Sequence, residues 1–163
     1  MESKQTILTV LISSVVALVV SVFFSVVSIQ YSPQTSVSQT NQTNLSLPDL
    51  IVDSSGYRVI GMDKMNQSNG SVLYRVEVTA TVKNIGQNKA GPSYVSFTAY
   101  NGDYFRFGLS PIGPLDVGQS AKAQFLFSLP ADNYFLLSIA DYFNRVRESD
   151  EYNNYDIINM TVA

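Results

Sequence analysis

Twenty-three consecutive residues, Ile7 to Ile29, carry no charge, glycine or proline. As a helix rising ~1.5 Å per residue, this run covers roughly 34 Å, enough to cross the hydrocarbon core of a bilayer. Its Ser and Thr hydroxyls can bond back to helix carbonyls, and its many Val and Ile residues are no obstacle where backbone groups must be satisfied internally. A secretory signal peptide is the competing reading. The run exceeds the usual h-region, however, and no convincing small-x-small cleavage site precedes the polar stretch that follows. The expectation is an uncleaved transmembrane helix over 7–29 behind a cytoplasmic N-terminus of residues 1–6. Lys4 and the α-amino group lie on the N-terminal side and nothing basic follows until Arg58, so the positive-inside bias places the rest of the chain outside the cytoplasm.

Residues 30–47 read as a polar linker. From Ser32 to Leu47 there is no charge, no Gly and little large apolar surface, too little to offset the entropy of ordering the chain. The alternative is a first strand near Leu45 to Leu47. Five N-x-[ST] sequons begin at Asn41, Asn44, Asn66, Asn69 and Asn159, all on the side assigned to the exterior, and are candidates for glycosylation.

The remaining stretch, 48–163, is long enough for one compact domain. Its dominant period is two. In Val72 to Val82 the side chains of Val72, Tyr74, Val76, Val78, Ala80 and Val82 share one face, opposite Leu73, Arg75, Glu77, Thr79 and Thr81. Similar runs cover Asp49–Ser54, Tyr57–Met62, Ser93–Asn101, Tyr104–Phe107, Ser120–Leu129, Tyr134–Asp141 and Tyr155–Val162, separated by turn formers such as Ser55-Gly56 and Asn101-Gly102-Asp103. Seven or eight short strands without a long helical pattern predict an all-β fold, an immunoglobulin-like antiparallel β-sandwich, with a small barrel as the second choice.

The chemistry open to such a domain is narrow. Without Cys or His there is no thiol nucleophile, no disulfide, no Ser-His-Asp triad and none of the common zinc sites. Ten basic against thirteen acidic residues give a net charge of −3 with no basic cluster, which argues against nucleic acid as a partner. A carboxylate pair acting as a hydrolase is the remaining catalytic option, and nothing in the spacing supports it. The expectation is a protein that is not an enzyme and uses no cofactor and no metal.

Three segments together resemble the CARDB domain, an immunoglobulin-like module of bacterial and archaeal surface proteins. They are PDLIV (Pro48 to Val52), VEVTATVKNIGQNKAG (Val76 to Gly91), and IADYFNRVRESDEYNN (Ile139 to Asn154) preceded by the turn from Pro114 to Ser120. The resemblance implies the sandwich fold, a surface location and adhesion or partner binding, and it implies no catalysis. The whole layout of apolar helix, polar stalk and single sandwich is also similar to archaellum stator proteins of the F/G type. Those proteins hold a motor against the surface layer, so the implied partner is a surface-layer or other envelope protein, with a homodimer through an open sheet edge as a further expectation. A pilin-like filament subunit, cut between Lys4 and Gln5, or a general adhesion module are the alternatives.

Individual sites follow. Ile85, an apolar residue among turn formers, together with Leu115 and Val117, is expected either to seat a partner or to close the end of the core. Tyr100, Tyr104, Phe105 and Phe107 are expected mostly in the core, with Tyr104 the one that could contact a partner. The acidic ending from Asp141 to Asp156 could offer oxygens to Ca²⁺, but Arg145 stands at the fifth position from Asp141 and no Gly follows at the sixth. Its Asp and Asn side chains are expected to bond nearby backbone amides, and Arg145 and Arg147 to pair with neighbouring carboxylates.

Overall fold

The computed structural model describes residues 46–63 and 72–163. The expected membrane segment 7–29, nearly all of the linker, and the sequons at Asn41, Asn44, Asn66 and Asn69 lie outside the described residues.

Seven strands form the domain: β1 (Leu50–Asp63), β2 (Leu73–Asn84), β3 (Ser93–Tyr100), β4 (Phe105–Ile112), β5 (Ser120–Pro130), β6 (Asp132–Ile139) and β7 (Tyr155–Val162). They build a three-stranded sheet ordered β1-β2-β5 and a four-stranded sheet ordered β4-β3-β6-β7, with antiparallel pairing throughout. This is the expected sandwich. Alternation sets which side of each strand is dry: Val76, Val78, Ala80 and Val82 of β2 face Val95, Phe97 and Ala99 of β3 across a single buried core. Leu136, Met160 and Val162 complete it from β6 and β7.

Ser55-Gly56 is not a turn. The two runs expected on either side of it form one continuous strand, which keeps pairing with β2 through register shifts between Val52 and Ser54 and between Val59 and Gly61. Each shift adds a residue, Asp53 or Ile60, and these bulges let one long strand change which residues face inward, so a turn is not needed.

The corner between β5 and β6 is one residue long, and Tyr134 braces it. The Tyr134 hydroxyl, at the end of a buried ring, donates to the Pro130 carbonyl at 3.0 Å, the tyrosine-corner arrangement of immunoglobulin-like sandwiches. Burial, then the nearby Asp132 charge, pushes its pKa up to about 12, so the group stays a donor at any physiological pH. Tyr134→Phe keeps the packing but removes the donor. It should cost about 1–2 kcal/mol in chemical denaturation, and an unchanged midpoint would mean that water replaces the bond.

Candidate interaction surfaces

One rigid end and one unusual face distinguish this sandwich. At that end, Asn84 closes β2 with its side chain fully buried. Its Oδ1 accepts from the Asp49 and Gly86 amides at 3.2 and 3.0 Å, and its Nδ2 donates to the Asn88 and Leu115 carbonyls at 2.8 and 3.0 Å. Its backbone completes the set, donating to Gln119 O and accepting from Gly118 N. One side chain thereby ties together the entry to β1, the β2–β3 loop and the β4–β5 loop. Gly86 must lack a side chain, because a Cβ there would lie 2.4–2.6 Å from backbone atoms of Leu47, Pro48 and Asp49.

Ile85 and Val117 project from the two loops held this way, 49 % and 57 % exposed. Leu115 does not join them. It is 3 % exposed, bridged to Ala90 by paired backbone hydrogen bonds, and closes the core, so it is no contact residue. Tyr104 lies at the other end of β3, half-buried against the core with the Arg106 guanidinium 4.3 Å from its ring centre. The sequence candidates therefore divide between opposite ends of the sandwich.

The acidic ending is a set of stitches. Glu148 is buried; its Oε2 accepts from the Leu50 amide and its Oε1 from Asn154 Nδ2 at 3.0 Å. Ser149 N donates to Pro48 O, while Ser149 Oγ and Asn153 Nδ2 both bond the Asp49 carboxylate. Asp141, at φ 43°, accepts from the Val146 amide at 2.7 Å, and Asn144 follows at φ 50°. Asp and Asn tolerate such left-handed positions better than most residues. The segment thus binds the far end of the chain to the opening PDLIV. Among the described residues no three His, Cys, Asp or Glu are grouped so as to hold a metal ion. Arg145 lies over the rings of Tyr94 and Phe143, at 5.1 and 5.2 Å, instead of on a carboxylate. Burial raises the pKa of Asp141, and it raises that of Glu148 to about 8, with the Glu151 and Asp141 charges adding to the effect.

The outer face of the four-stranded sheet is where sequence reasoning fell short. Phe105 and Phe107 were expected mostly in the core, yet they point outward and are exposed. The inward position between them and Ile112 is Gly108, which sits so close to Phe125 of β5 that a Cβ would lie 2.4 Å from that ring. At Gly108, against Phe125, there is no room for a side chain, and the large residues Phe105 and Phe107 take the outer side. Register carries the pattern across the sheet. Tyr100 is opposite both Phe105 and Phe135, Thr98 opposite Phe107 and Leu137, and Phe135 and Leu137 opposite Asn159 and Ile157. Tyr142 and Phe143 extend the face in an aromatic chain, with ring centres 5.3 Å from Phe107 to Tyr142 and 5.2 Å from Tyr142 to Phe143. Asn159, the one sequon among the described residues, stands exposed on this face. The readable signal was β6, whose run from Tyr134 to Ile139 is apolar at both parities except Ser138.

The family model described as CARDB matches residues 47–157. Among curated proteins none matches the chain. Among solved structures, the chain is similar to a domain (272–376) of a Methanosarcina acetivorans protein provisionally described as a cell surface protein. Identity is 21 %, TM-score 0.53, and the match covers 72 % of this chain and 93 % of that one. A Pyrococcus furiosus CARDB domain crystallised with di-metal ions is 18 % identical at a TM-score of 0.45, covering 81 % of this chain and 100 % of that one. At these identities the likeness is one of fold.

Proposed function

Because the chain belongs to the CARDB family through residues 47–157, we infer that it is a membrane-anchored binding and scaffold protein whose sandwich holds another envelope protein outside the cytoplasm. Its most specific form is an archaellum stator that links the motor to the surface layer. The charge-free run 7–29 supports the anchor and the polar stretch 30–47 the tether. The observation that carries the binding role is the Asn84 network, which holds two loops from different strand pairs as one rigid tip and leaves Ile85 and Val117 exposed on it. Apolar side chains on a loop that cannot collapse are preorganised for a partner and lose little entropy on contact.

Retention of surface-layer protein by the purified full chain tests this. The wild-type chain should retain it, and Ile85→Lys with Val117→Lys should weaken retention at least tenfold with an unchanged melting temperature. Equal retention by both proteins would remove the loop tip from the contact, and no retention by the wild type at high concentration would remove the bridging role.

A further inference from the structure

We propose that Asn159 carries an N-linked oligosaccharide that lies across the outer face of the four-stranded sheet and covers its row of aromatic rings. The proposal rests on the reading that this domain stands outside the cytoplasm, where sequons are used. The face differs from its counterpart. The three-stranded sheet turns Arg58, Glu77, Lys83 and Lys122 to water. The outward rows of the four-stranded sheet carry no Lys, Arg, Asp or Glu, and Phe105, Tyr155 and Ile157 are exposed among them. An apolar patch of that kind marks a contact.

Register selects the occupant. Asn159 of β7 stands opposite Phe135 of β6, Phe135 opposite Tyr100 of β3, and Tyr100 opposite Phe105 of β4, so one line of rings runs from the sequon to the far edge of the sheet. With strands ~4.8 Å apart, the three rings follow Asn159 at roughly 5, 10 and 14 Å. Each step is close to the length of one sugar in a chain, so a short linear oligosaccharide reaches the end of the line. The C–H side of a pyranose packs on an aromatic face as other apolar groups do, while its hydroxyls stay in water. A neutral sugar chain also needs no ionic partner. A lipid surface would call for basic residues around the patch, and the adjoining Arg145 is already engaged over two rings. The acceptor is available as well. Asn159 is exposed on an edge strand, with Thr161 on the same face. Its side chain bonds none of the described residues, whereas the amides of Asn84, Asn101, Asn153 and Asn154 are all held. The co-reactant is a lipid-phosphate-linked oligosaccharide. The bond from Asn159 Nδ2 to the anomeric carbon forms as the bond from that carbon to the phosphate oxygen breaks; the lipid phosphate leaves with the electron pair, and the amide proton passes to a base of the transferase.

Glycopeptide mapping of the full chain, purified from the cells that make it, should find Asn159 occupied. An unmodified Asn159 beside sugar at Asn41, Asn44, Asn66 or Asn69 would overturn the proposal and leave the exterior placement standing. No sugar at any sequon would overturn the proposal and count against that placement too. The covering is tested with Asn159→Gln in the glycosylating cells. Losing this one sugar should lower the melting temperature of the domain by about 3–6 °C. Hydroxyl-radical labelling of Phe135 and Phe105 should rise severalfold. In chain made without N-glycans, Asn159→Gln should change neither reading, which separates the sugar from the asparagine side chain. With Phe105→Ala and Phe135→Ala both in place, removing the sugar should shift the melting temperature by less than about 1 °C. Equal melting and equal labelling with and without the sugar would mean that the oligosaccharide points into water. An undiminished shift after both rings are removed would mean that it acts without them. Either result would overturn the proposal.

Discussion

Replacing Asn84 with alanine should remove about 3–5 kcal/mol of stability, a large share of the roughly 5–15 kcal/mol a domain possesses. Two backbone amides and two carbonyls lose their partner at once, and the side chain that satisfies them is wholly buried. Asn84→Asp sharpens the test. It keeps the acceptor for Asp49 and Gly86 but turns an oxygen toward the Leu115 and Asn88 carbonyls and buries a charge, so it should be at least as damaging as alanine. Urea denaturation of the two variants decides the matter. A loss below about 1 kcal/mol for Asn84→Ala would mean that the loops close without their common partner and that Ile85 and Val117 are not rigidly presented.

Glu148 sets the pH dependence. Its folded-state pKa is raised from 4.5 to about 8, chiefly because burial penalises the charged form. The folded chain keeps a proton that the unfolded chain releases above about pH 4.5, so stability should fall as pH rises from there and level off above about 8. Asp141, also raised chiefly by burial, shifts stability in the same direction. The neutral carboxyl needs an acceptor, and Asn154 Oδ1 is buried without a partner. Turning that amide over would bring the oxygen to Glu148 while Leu50 N continues to donate to the other carboxyl oxygen. Glu148→Gln can make the same two bonds without a titrating group. It should therefore flatten most of the pH dependence and exceed the wild type at pH 8 by on the order of 2–4 kcal/mol. Glu148→Leu leaves the Leu50 amide unpaired and should be less stable than the Gln variant at every pH. Denaturation midpoints at pH 5, 6.5 and 8 distinguish these outcomes, and parallel profiles for wild type and Glu148→Gln would place the titration elsewhere.

Strand existence was legible wherever one face is dry and the other wet, as in β2 and β5, because the period of two then has one explanation. It was less legible in β4, where alternation showed two sides without saying which was inner; the answer came from Phe125 on another strand. The loop candidates divided for a similar reason. Ile85 and Leu115 are both apolar residues in turn-rich segments, and only the assembled core, which takes in Leu115 beside Ala90 and leaves Ile85 exposed, tells them apart.

Local sequence was enough for the all-β class, the sandwich and the absence of thiol and imidazole chemistry, since these depend on residue type and on periods within a few residues. Tertiary structure alone decided that the E-S-D-E-x-N-N segment stitches the chain's end to its beginning, that Ser55-Gly56 continues a strand, and that one sheet turns an uncharged aromatic face to solvent. Each of those outcomes depends on groups brought together from distant parts of the chain, about 100 residues apart for Glu148 and Leu50. Packing space and desolvation belong to the assembled neighbourhood, and no single segment contains them.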